Sequence, residues 1–186
     1  IKETGLSAPR RTVYLELGQD VQAAELNRLV GVRSIRRAHT LGQPIAQNSP
    51  DGGQGSPLMT TERIADLPVV GVLDSGVSTK ALGPWLTGKD VYVRAKDSSP
   101  NHGTFVSALV AASRELNDDD RFPGDRARVW GAEVLPDSPI PEDELMASIE
   151  DAVARGTKQG IRVWNCSFAS EQEGDGSYST FAAFMD

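Results

Sequence analysis

Val69-Val70-Gly71-Val72-Leu73 is a run of small and apolar residues with no polar interruption, bounded by Pro68 and Asp74. A run of this kind suits a strand buried on both faces, which occurs almost only where helices cover both sides of a parallel sheet. The rest of the chain supplies the parts such a sheet needs. Residues 91–93, 128–135 and 161–167 read as three further strands, and helical patterns separate them. Strands alternating with helices at this spacing predict an α/β fold with a doubly wound, mainly parallel sheet.

Two helices carry readable signals. In residues 101–112, Phe105, Ala108, Leu109 and Ala112 fall at i, i+3, i+4 and i+7, which predicts one buried stripe, with Asn101 or a neighbour as cap. In the second helix Pro141 suits the first turn and Glu142 to Glu144 complement the positive end. Leu145, Ile149 and Val153 form its expected stripe, and Gly156 can close it.

The N-terminal third reads differently. Residues 12–17 alternate in polarity, 21–29 have helical spacing and 32–35 are extended, so residues 1–39 predict a small β-α-β appendage. Residues 40–66 are expected to be a linker, because Gly, Pro, Gln and Ser dominate up to position 61. Residues 67–186 then form the main domain. The net charge is −7. Residues 69–186 hold 11 basic and 19 acidic side chains, which argues against a nucleic-acid footprint. Arg33, Arg36 and Arg37 are explained by a solvated strand edge, and His39 by a polar surface. No run approaches the roughly 18 apolar residues of a membrane span. Cys166 is the single cysteine, which favours a reducing compartment such as the cytoplasm.

Chemistry concentrates at two places. In open α/β sheets, reactive groups gather at the carboxyl ends of the strands. Asp74 ends the first strand before the tight Ser75-Gly76 turn. His102 begins a helix 28 positions later and is expected to open on the same face. A helix N-terminus disfavours a permanent positive charge, which suits an imidazole that accepts protons. A carboxylate against one ring nitrogen fixes the tautomer and stabilises the imidazolium formed when the other nitrogen takes a proton. Taken singly, an Asp before a Gly turn also serves as a turn residue, and a lone His at a helix start as a packed side chain.

Three stretches together resemble one family, the subtilisin-like serine proteases (subtilases). Val70-Gly71-Val72-Leu73-Asp74-Ser75-Gly76-Val77 is similar to the family's catalytic-aspartate motif, and Asn101-His102-Gly103-Thr104-Phe105-Val106-Ser107 to its catalytic-histidine motif. Arg162-Val163-Trp164-Asn165-Cys166-Ser167-Phe168 resembles the strand whose end lines the substrate cleft. The resemblance covers about residues 67–186. It implies that Asp74 orients the base and that His102 is general base and then general acid in peptide cleavage. It also implies that Ser167, Phe168 and Ala169 pair with an extended substrate and wall its pocket.

The pattern is also incomplete. The family's Gly-Thr-Ser-x-Ala nucleophile motif does not occur in the 186 residues, nor does the downstream Asn that donates to the oxyanion. Gly176-Ser177-Tyr178-Ser179-Thr180 reads as the cap of a helix that has barely begun. The expectation is therefore an N-terminal part of a peptidase domain, inactive alone, in a protein that continues on both sides. Ala169 stands where the family often has Gly, and Pro139 and Pro141 fall where the other substrate-pairing segment is expected. No cofactor is required by this reading, although Asn117-Asp118-Asp119-Asp120 occupies a loop where some relatives bind calcium; a solvated turn explains it too. The expected partners are a protein or peptide substrate, the remainder of the peptidase domain and a regulatory partner. Many subtilases carry an inhibitory α/β pro-segment, a role that residues 1–39 could fill as well as an accessory one. The alternatives are a catalytically dead relative that binds peptides or a partner, and a nucleotide-binding domain. The latter is poorly served by Gly174-Asp175-Gly176, which lacks a third glycine.

Overall fold

The computed structural model describes residues 2–4, 12–15, 38–42, 64–122, 126–170 and 180–186. Its centre is a four-stranded parallel sheet in the order β5-β6-β4-β8, with β4 at Val69–Asp74, β5 at Leu86–Val91, β6 at Arg128–Glu133 and β8 at Val163–Cys166. β4 pairs in parallel on both sides, Val72 lying opposite Gly131 in β6 and Asn165 in β8. That double pairing explains its uninterrupted apolar run. Alternate residues of a strand point to opposite faces, and Val72 and Leu73 accordingly enter two different cores.

The core on Leu73's face also contains Ala132 and Val134, packed against Leu145, Ile149 and Ala152 of helix α3 (Glu142–Lys158). The opposite core joins Val72 and Val129 to Ala111 and Ala112 of α2 (Asn101–Asn117), with Leu82 of the short α1 (Thr79–Leu82) and Trp85 beneath. Helices on both faces make the sheet doubly wound, as the strand–helix rhythm predicts.

Several elements differ from expectation. The second strand is Leu86–Val91, ending where the apolar triplet 91–93 begins. An edge strand with one neighbour tolerates polar residues, and Asp90 is held there by the Trp130 indole N–H (3.1 Å) and by Arg155 (3.0 Å). Helix α2 buries Gly103, Ser107, Ala111 and Ala112, whereas Phe105 is 63 % exposed. The small-residue stripe wins because it lets the helix axis approach the sheet. The helix is also broken at Ala112, whose φ of −158° and ψ of 54° are non-helical. Pro141 caps α3 from outside, and the helix continues past Gly156 to Lys158. Gly156 instead receives the Trp164 ring, which leaves no room for a β-carbon.

At the N-terminus, β1 (Lys2–Thr4) pairs antiparallel with β2 (Thr12–Tyr14), a partner the sequence pattern did not reveal. The expected helix 21–29 and strand 32–35 lie outside the described residues, as do Arg33, Arg36 and Arg37. The stretch read as the start of a linker contains a strand, β3 (Thr40–Gly42), with Leu41 buried among the α3-side core. It is the middle strand of an antiparallel sheet between β7 (Ile140–Pro141) and β9 (Ala169–Ser170), with Leu41 opposite both Ile140 and Ser170. A last helix, α4 (Thr180–Met185), sets Phe181 edge-on to Phe168 with ring centroids 6.0 Å apart.

Candidate active site

Asp74 is the last residue of β4 and is fully buried. Its backbone carbonyl accepts from the N–H groups of Val134 (2.8 Å) and Leu135 (3.2 Å), which continues the sheet pairing one step past β6. One carboxylate oxygen accepts from the Ser75 N–H (2.6 Å). The His102 ring nitrogen Nδ1 lies 2.8 Å from Oδ1 and 3.0 Å from Oδ2. A carboxylate can only accept, so Nδ1 carries the hydrogen, and in the neutral ring Nε2 then has the lone pair. The His102 side chain keeps 19 % of its surface accessible, which leaves the ring open to a reacting group.

Several contacts hold the ring in place. Asn101 is helical and exposed, and Pro100 stands at the cap position with no side-chain bond, so the expected local cap is absent. A residue from another loop does that work. The Ser75 hydroxyl accepts from the Gly103 N–H (3.2 Å), satisfying one of the free donors of the first helical turn. Thr104 Oγ1 accepts from the Ser78 N–H (2.9 Å) while donating to the Pro100 carbonyl. Gly103 itself presses on the Asp74–Gly76 turn so closely that a β-carbon would meet the Gly76 carbonyl oxygen and Asp74 Cβ. Gly76 has φ of +101°, a conformation open to glycine at little cost, and this turns the chain back under the helix. The sequence named Asp74 and His102 but missed Ser75 as the tie between them; the only signal was the turn itself.

Ser167, Phe168 and Ala169 follow β8, at the same carboxyl edge of the sheet as Asp74. The Ser167 hydroxyl donates to Asn165 Oδ1 (2.9 Å), Phe168 packs on the α3-side core, and Ala169 pairs with Gly42. With Ala169 in β9 and β7 on the other side, the chain's own β3 is paired along both edges. The Cys166 thiol, in the α3-side core, is pushed up by burial and is less available as a thiolate. His39, read as surface, is half-buried, and its carbonyl accepts from the Glu142 N–H (3.1 Å).

Residues 117–120, expected to be a solvated turn with calcium as the alternative, lie at the end of α2. Asp118 sits there with φ of 47°, Asn117 donates to the Ser113 carbonyl and Asp119 clasps Arg121. Among the described residues no group of three or more His, Cys, Asp or Glu could hold a metal ion, and no helix is long and apolar enough to cross a membrane.

Against known proteins, a family model described as the subtilase family matches residues 66–186, more than half of the chain. No curated protein matches it.

Proposed function

The chain belongs to the subtilase family, and from that premise we propose that it supplies the aspartate and the histidine of a subtilisin-type serine endopeptidase. The observation that carries this reading is the fully buried Asp74 carboxylate with His102 Nδ1 2.8 Å from it. In this role His102 Nε2 takes the proton of a serine hydroxyl as that oxygen attacks a peptide carbonyl, and Asp74 stabilises the imidazolium. The proton then passes to the leaving amine, and water hydrolyses the acyl-enzyme by the same route. This role needs a serine nucleophile and oxyanion donors, for which residues 1–186 carry no family motif, so residues 1–186 alone are expected to be inactive.

Two features support docking of the rest of the domain. Among the described residues β8 has a neighbour on one side only. Val163, which lies opposite Val70 in β4, is 61 % exposed, and Phe105 of α2 is equally bare. The groove between β7 and β9 is the seat of an extended substrate, bound by main-chain pairing. That β3 fills it favours a pro-segment role for residues 1–39, with the start of the expected linker lying in the cleft.

The test is labelling of the complete protein with a serine-directed fluorophosphonate. Labelling is expected, and His102→Ala abolishes it; labelling that survives this change sinks the assignment. The groove's capacity to hold a strand also fits a catalytically dead peptide-binding module. That reading gains if peptides bind while labelling is absent.

A further inference from the structure

Glu142 lies at one end of the groove and is 3 % exposed. Its backbone N–H donates to the His39 carbonyl (3.1 Å), which carries the β3–β7 register one pair beyond Thr40↔Pro141 and sets His39 opposite Glu142. The Tyr14 hydroxyl donates to Oε1 (3.2 Å), while Oε2 is buried with no hydrogen-bond partner among the described residues. Asp143 and Glu144 follow in the same helical turn and reinforce the negative field. A buried carboxylate oxygen without a donor is costly. In an antiparallel pair, residues directly opposite bring their β-carbons to about 5 Å on the same face, where opposite charges attract and like charges repel.

Resting on the reading of this groove as a substrate cleft, we propose that Glu142 is a specificity determinant that selects strands bearing Lys, Arg or another N–H donor opposite it. That position is two residues before the one seated where Leu41 lies. The chain's own strand places His39 at that position, and the donor to the Glu142 carboxylate is the Tyr14 hydroxyl of β2. A substrate strand brings no Tyr14, so its own side chain is the donor that counts.

The register can be tested in the 186-residue chain by hydrogen exchange of the β3 amides. His39→Lys is expected to slow exchange and His39→Glu to accelerate it, a spread on the order of tenfold, and Glu142→Gln collapses that spread. Equal exchange in the two His39 variants overturns the inference. Both substitutions fall at a partly exposed position, so the fold survives them, with far-UV circular dichroism as the check. In the complete protein, kcat/KM is expected to be about tenfold higher for a peptide with Lys at this position than with Glu, and Glu142→Gln removes the preference. Fluorophosphonate labelling with indifferent cleavage refutes the role of Glu142 and leaves the peptidase reading standing. Absent labelling refutes the peptidase reading and with it this role in substrate selection, whatever the exchange data give for the pairing.

Discussion

Side chains here take their properties from what surrounds them, and two tyrosines make this measurable. The Tyr14 hydroxyl is raised well above its ordinary value of 10.0 by burial and then by the Glu142 charge. Tyr92 is raised likewise by burial, by its bond to Asp151 (2.7 Å) and by nearby carboxylates. Both folded values exceed the unfolded one. Their contribution to stability is therefore complete below about pH 10 and is lost as pH rises toward the folded values. Thermal unfolding followed from about pH 8 to 12 is expected to show a falling midpoint, flattened in the Tyr14→Phe, Tyr92→Phe double variant. An unchanged slope would remove both contacts from the account. Asp74 and His102 were legible in the sequence because a strand end and a helix start are local features. Ser75's role was not, since its partner Gly103 is 28 positions away.

At the scale of elements, helix α2 shows how periodicity can be right while the face is wrong. The stretch is helical as predicted and Ala112 of the expected stripe is buried, yet Phe105 is exposed and Gly103, Ser107 and Ala111 form the rest of the buried face. Both stripes satisfy helical spacing. The choice falls to the smaller residues because the helix must sit directly on the Asp74–Gly76 turn. Helix propensity alone predicts that Gly103→Ala stabilises by about 1 kcal/mol. The clash of the added Cβ with the Gly76 carbonyl is expected to cost more, about 1–3 kcal/mol, because a backbone carbonyl cannot rotate out of the way. Net destabilisation in chemical denaturation, with a shifted His102 imidazole NMR resonance, is the expected result. A gain in stability would show that the helix does not press on the turn. Helix α3 keeps its expected face: Leu145 and Ile149 are buried and Val153 packs, partly buried, against the same core.

For the whole molecule, the least legible feature was the one that joins the N-terminal segment to the α/β domain. Residues 40–61 have a linker's composition, and three residues of β3 are too few to announce a strand. Pairing on both edges and the burial of Leu41 make them one. Deleting residues 1–61 is expected to expose Leu41's seat, removing about 1.5–3 kcal/mol of apolar burial. Increased binding of a hydrophobic dye and faster exchange in β7 and β9 report it. In the complete protein the same deletion is expected to raise peptidase activity or to impair folding. No change in activity or folding would count against a pro-segment.

By itself the sequence determined the α/β class, three of the four parallel strands and the two residues that meet as Asp74 and His102. Each of these rests on short-range signals: apolar runs, helical spacing and turn residues. The tertiary structure alone decided which face of α2 is buried, that Ser75 caps that helix, and that β3 pairs between β7 and β9. Those outcomes depend on contacts between residues far apart in the chain, whose free energies appear only once the sheet has brought the partners together.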